Sequence, residues 1–209
     1  MAYEVITRDV LFKMGLAYVG QTPTRNRYGD SLLTLWVNEG VRNFLWPDAV
    51  EDYVSFTTVA GTRNYNLPAG FLREKQVKLD GDTLEFRRML ESDYSSTGYS
   101  KPGFYYFWGK PNTQMFLGPD PPDGPWKTEV WFVRTPEPLV NGTDVPELHP
   151  QWATAPALWV GHRCLLQAGA VQDAQLLLQN FQADRDQYRE FMTQESGQNF
   201  LTTADVWSL

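Results

Sequence analysis

The chain has 209 residues, 42% hydrophobic and 21% charged, with a formal net charge of −7. That is the composition of a folded globular protein with a sizeable core, not of a disordered chain, and its acidic balance argues against a protein that grips nucleic acid by its phosphates. Cys164 is the single cysteine, which leaves no internal disulfide and no cysteine-built zinc site, and no apolar run reaches the roughly 20 residues a membrane helix needs.

In chain order, residues 4–19 carry Ile6, Val10, Leu11, Met14, Leu16, Ala17 and Tyr18 at helical spacing, with Thr7 as a cap and Gly20 as a stop. The opening MAYEVITRDV lacks the apolar core of a signal peptide. A second helix, capped by Asp30 or Ser31 and ended by Pro47, places Leu33, Trp36, Val37, Gly40, Val41 and Phe44 on one face. Gly40 within that stripe predicts close approach of another backbone.

From about Glu51 the period changes to that of strands. Tyr53 to Val59 is rich in Val, Phe and Thr. A turn follows at Gly61-Thr62, then a short extended piece, Asn64 to Pro68. Val77 and Leu79 alternate with lysine, Asp80-Gly81 predicts a hairpin, and Leu84 and Phe86 continue the alternation on a return strand. Glu91 to Ser96 reads as one helical turn. Gly103 to Trp108 and Met115 to Leu117 flank a second hairpin, and Thr128 to Arg134, apolar on both faces, reads as a central strand.

Two long helical patterns close the ordered part. One runs through Trp152, Ala155, Leu158, Trp159, His162, Leu165 and Leu166, the other through Ala174, Leu177, Leu178, Phe181, Tyr188, Phe191 and Met192. Gly169 between them is placed to end the first and let the second fold back. The expected fold class is α+β. Helices from both chain ends (1–49 and 147–195) form a bundle, an antiparallel β module (50–146) is inserted, and an arm (196–209) follows.

No enzyme motif is present, and neither a cofactor nor a resident metal is expected. His149 and His162 are too far apart along the chain to share a metal. His162 on an apolar stripe reads as a core histidine, and Cys164 as a small buried hydrophobe. The carboxylate pairs Glu91/Asp93 and Asp120/Asp123 are candidates for glycosidase chemistry, and the Asp120–Asp123 loop for calcium, although it lacks a terminal glutamate ligand. The run Phe104-Tyr105-Tyr106-Phe107-Trp108 must present aromatics on both sheet faces. One face can be core; the other calls for a second layer, a sugar ligand or a neighbouring subunit. In the tail, Phe200, Leu201, Val206, Trp207 and Leu209 are too sparse for a core. They either fold back onto the parent domain, dock on a partner, or remain without fixed structure.

The ordered set LLTLWVNEGVRNFL, RNYNLPAGFLREKQVKLDG, KPGFYYFWG, MFLGPDPPDG, EVWFVRTPEPL and DVPELHPQWATAPALWVGHRCLLQAG, spanning most of residues 31–192, resembles the head-to-tail adaptor (head completion, connector) proteins of short-tailed bacteriophages. The resemblance implies a non-enzymatic virion protein at the head–tail junction, made in the host cytoplasm. It implies a homo-oligomeric ring, usually of twelve copies, that binds the portal protein and the tail nozzle protein and extends the channel for DNA ejection. Genomic DNA then passes without specific binding, and no membrane is involved. The resemblance also implies a partner-docking role for Phe200, Leu201, Val206, Trp207 and Leu209. The chain holds five basic against five acidic residues in 1–48, ten against fourteen in 49–148, and three against six in 149–209. Acidic side chains of the β module or terminal helices are therefore expected along the channel. The alternatives are a tail-associated carbohydrate-binding or cell-wall-degrading protein, or a tail-tube or tail-completion protein of a long-tailed phage.

Overall fold

The computed structural model describes residues 5–22, 27–46, 50–87, 100–108, 113–118 and 122–195. The chain divides into two compact units, Met1–Trp46 with Glu137–Leu209, and Pro47–Pro136. The fold is mixed α+β: four α-helices in the first unit and two sheets in the second, among the described residues.

The helical unit contains α1 (Arg8–Ala17), α2 (Asp30–Leu45), α3 (Ala155–Gln167) and α4 (Val171–Glu195). The stripe expected on α2 is the buried one: Leu33, Trp36, Val37, Gly40, Val41 and Phe44 are all buried. Its start differs from expectation, because Gly29 occupies the cap and Asp30 is already helical, placing its carboxylate at the positive end of the helix dipole. On α1, Thr7 takes the cap position but its side chain makes no capping bond. Backbone carbonyls do that work instead: Arg8 N donates to Asp144 O at 2.8 Å and Asp9 N to Gly142 O at 3.2 Å. Two ends close by the same device. Gly20 and Gly169 have φ of 65° and 79°, with Gln21 N bonded to Leu16 O and Ala170 N to Leu165 O.

α3 is surrounded, which explains why its buried residues are broader than one stripe. It packs on α1, α2 and α4. Ala157, Val160, Gly161 and Cys164 are buried alongside the expected Ala155 and His162, whereas Leu166 is exposed. Glycines allow the approach. A Cβ on Gly15 of α1 would lie 2.6 Å from Val160 Cγ1, and one on Gly40 of α2 would lie 3.0 Å from Trp159 Cβ and 3.3 Å from the Pro156 backbone. The close approach expected at Gly40 is thus met by α3. α4 buries Ala174, Leu177, Phe181 and Tyr188, the expected face, with Met192 exposed at its end. A run of ring contacts at 5.1–5.6 Å joins these helices: Trp159 to Phe181, Phe181 to Phe44, Phe44 to Tyr188, Tyr188 to Trp152 and Trp152 to Phe191.

The second unit is two packed sheets. One has the order β1 (Val50–Thr57), β8 (Lys127–Arg134), β3 (Phe71–Leu79), β4 (Asp82–Thr83). The other has the order β2 (Asn64–Asn66), β7 (Gln114–Gly118), β6 (Phe104–Trp108), β5 (Glu85–Phe86). β8 is central, as its two apolar faces require. The shared core is Phe71, Val77, Leu79, Val130 and Phe132 from the first sheet against Tyr105, Met115 and Leu117 from the second, with Leu84 between. The β3–β4 hairpin at Asp80-Gly81 forms, but its return strand is only Asp82–Thr83. Leu84 turns into the core, and Glu85–Phe86 then pairs with β6 in the other sheet, in parallel. One buried leucine thus moves the chain from one sheet to the other, where alternation alone predicts a continued hairpin.

Candidate interaction surfaces

The described residues among those that sequence reading marked for chemistry are held in structural roles. His162 is buried, and its Nδ1 donates to Ala174 O at 2.8 Å, so the ring ties α3 to the first turn of α4. His149 starts the 3₁₀ turn Pro150–Trp152, accepting from Gln151 N at 3.3 Å, and its ring packs on Trp152 and Phe191. Cys164 is fully buried, and burial pushes its thiol up to about 12. Its carbonyl accepts from the Tyr28 hydroxyl at 2.9 Å. Asp123 accepts from Trp126 Nε1 at 3.0 Å. Glu91, Asp93 and Asp120 lie outside the described residues, as do Phe200, Leu201, Val206, Trp207 and Leu209 and the turn expected at Glu91 to Ser96. Among the described residues no group of three or more His, Cys, Asp or Glu is arranged to hold a metal. No helix among them is long and apolar enough to cross a membrane.

The aromatic run 104–108 is buried on both sides at its start. Tyr105 faces the shared core, with Phe107 packed against it. On the opposite face Phe104 lies under the Arg87 guanidinium at 4.6 Å, and Tyr106 stacks on Phe116 at 5.1 Å and 10°. Only Trp108, 53% exposed, is left open at the strand end.

The richest exposed chemistry is on the outer face of the sheet β1-β8-β3-β4. The register sets Tyr53 of β1 opposite Trp131 of β8, ring centroids 5.1 Å apart, and Lys78 Nζ lies 5.0 Å over the Trp131 ring. The Tyr53 hydroxyl donates to Glu129 at 3.0 Å, and Lys127 bonds the same carboxylate. The Lys127 ammonium holds the Glu129 carboxyl below its ordinary range, and Glu129 in turn raises Lys127. Lys78 over the indole and Tyr53 tilted against it are the two ring neighbours of Trp131 on this face. Sequence reading passed over this cluster because its members lie on three strands; only the pairing register brings them together. In the helical unit, Tyr18, Leu35, Trp46, Val140, Val145, Val171 and Leu176 are also exposed apolar side chains.

Exposed aromatics rimmed by paired charges are the surfaces by which proteins meet other proteins. The class defined here is a mixed α+β protein with a partly exposed aromatic and charged sheet face. Within that class, residues 2–204 match the family model of the SU10 adaptor protein, and the chain belongs to that family. The match bears out the resemblance to phage adaptors carried by the ordered sequence segments. No curated protein matches the chain closely enough to count as a relative.

Proposed function

We propose that the protein is a structural subunit of the virion head–tail junction. It forms a ring, twelve copies in number, that seats on the portal protein, receives the tail nozzle protein and extends the channel through which DNA leaves. Family membership over residues 2–204 is the observation that carries this reading. In this reading the helices from both ends of the chain act as one bundle that meets the portal. The β module, with its Tyr53–Trp131 face, is turned toward the tail. Residues 196–209 form an arm in which Phe200, Leu201, Val206, Trp207 and Leu209 dock on portal or neighbour. The ring wall is built by closing head-to-tail contacts, to which exposed aromatics lend themselves.

DNA passes without specific binding. A conduit works best when it repels phosphate, and the net charge of −7 on each subunit supplies that sign. Lysines added to the channel wall are expected to slow DNA exit, and an unchanged ejection rate after charge reversal would remove the electrostatic part of the proposal. The assembly part is tested by co-sedimentation with the portal ring of the same phage, using the full chain and a version ending at Glu195. Binding by the full chain, lost on truncation, supports both the adaptor role and the arm. A full chain that does not bind portal points to the tail-associated reading, and glycan and cell-wall assays then follow.

A further inference from the structure

Among the described residues four strands lie at sheet edges in the β unit, and three of them are too short to template another strand. β4 and β5 have two residues each and β2 has three. β1 differs. It pairs with β8 over its whole length, Val50 opposite Arg134 through Thr57 opposite Lys127, with no bulge. Its sequence VEDYVSFT contains no proline and no lysine, and of its two acids Asp52 is neutralised by Arg134 within the chain. Thr58 N donates to Trp126 O at 2.9 Å, which fixes the alternation. The even-numbered residues of β1 bond to β8, and Glu51, Tyr53, Ser55 and Thr57 aim their backbone N–H and C=O away from the sheet.

From this edge we infer that β1 pairs with β1 of a second copy of the chain, antiparallel, about a two-fold axis at Val54. In that register Glu51 meets Thr57 of the second copy and Tyr53 meets its Ser55, so every outward backbone group of β1 has a partner. No like charges stand opposite each other. On the outer face, Glu51 comes beside Thr57 and then Lys127 of the second copy, because Thr57 and Lys127 are themselves paired across the sheet. On the inner face, Val54 meets its own copy, extending the apolar row that Val54 and Phe56, both only half-buried, leave incomplete. One exchange is required. Tyr53 N donates to Asp52 Oδ1 at 2.7 Å in the single chain and transfers to the carbonyl of Ser55 of the second copy. The Asp52 carboxylate remains held by Arg134 at 2.6 Å. The contact is isologous, so it is distinct from the head-to-tail contacts of a cyclic ring and does not depend on the ring reading.

The test is sedimentation equilibrium of the full chain and two variants. Ser55→Pro removes an outward N–H that β8 does not use, and Thr57→Glu sets a like charge opposite Glu51 of the second copy. The inference expects a concentration-dependent dimer for the natural chain and at least a tenfold weaker association for each variant, with unchanged circular dichroism. A natural chain that stays monomeric to about 100 µM, well above the micromolar range of a weak specific contact, would overturn the inference. So would a dimer that both folded variants keep. If Ser55→Pro fails to fold, Thr57→Glu alone decides.

Discussion

The side-chain amide of Asn38 and the backbone of Leu139, 101 residues apart, exchange two hydrogen bonds: Leu139 N donates to Asn38 Oδ1 at 2.7 Å, and Asn38 Nδ2 donates to Leu139 O at 3.1 Å. An asparagine on α2 thus stands in for a neighbouring strand, and the segment leading into α3 is fastened to a helix from the other end of the chain. Leu139 itself is buried. Replacing Asn38 by alanine leaves a part-buried N–H and C=O without their partner, and should destabilise the helical unit by about 2–3 kcal/mol. Asn38→Asp keeps the acceptor and loses the donor, so it should fall between. Urea unfolding followed by helix circular dichroism reads both, and equal effects from the two variants would contradict the account.

Gly15 tests the packing of α1 on α3. A methyl group there would sit 2.6 Å from Val160 Cγ1 and 2.7 Å from Val160 Cβ. Gly15→Ala should cost about 1–3 kcal/mol despite the better helix propensity of alanine. Val160→Ala removes the obstructing methyl groups, so the double variant should recover part of the loss. A double-mutant cycle with no coupling between the two sites would show that the helices do not meet here.

Thr128 offers the opposite sign. It is fully buried between β1 and β3, and its hydroxyl has no hydrogen-bond partner among the described residues. Valine has nearly the same shape without the buried oxygen. Thr128→Val is expected to stabilise the β unit by about 1 kcal/mol. A destabilised variant would mean that the hydroxyl is satisfied.

Cys164 should be silent to thiol reagents in the folded protein. It is fully buried, and its thiol is pushed up to about 12, so at pH 8 to 9 the thiolate needed for attack is scarce. Labelling of the native protein stays slow throughout that window, and the little that occurs rises about tenfold per pH unit, because below its titration point the thiolate fraction grows in proportion to hydroxide. Unfolding in urea returns the thiol to its ordinary value and should bring prompt reaction. Fast labelling of the native chain would show that α3 is open to solvent.

Much of the fold is legible in the sequence where a single element carries its own signal. The α2 stripe, the α4 stripe, the Gly169 stop and the central place of β8 all follow from periodicity or glycine chemistry within one segment. What escapes is set by distant segments. Thr7 looks like a cap, but carbonyls of residues 142 and 144 occupy the helix end first. The single stripe read on α3 is too narrow because three helices pack around it. Leu84 and Phe86 alternate as a return strand should, yet Leu84 lies in the core between the sheets and the pair of residues after it joins the other sheet. The Tyr53, Trp131, Lys78 and Glu129 cluster has no local pattern, since register alone assembles it.

The central claim is that this chain is a ring-forming adaptor on the portal. The most direct measurement is the native mass of portal rings saturated with the full chain. The account predicts a plateau at one copy per portal subunit, reached as a single closed ring. A plateau at one or a few copies per portal, or no added mass at saturating protein, would contradict it.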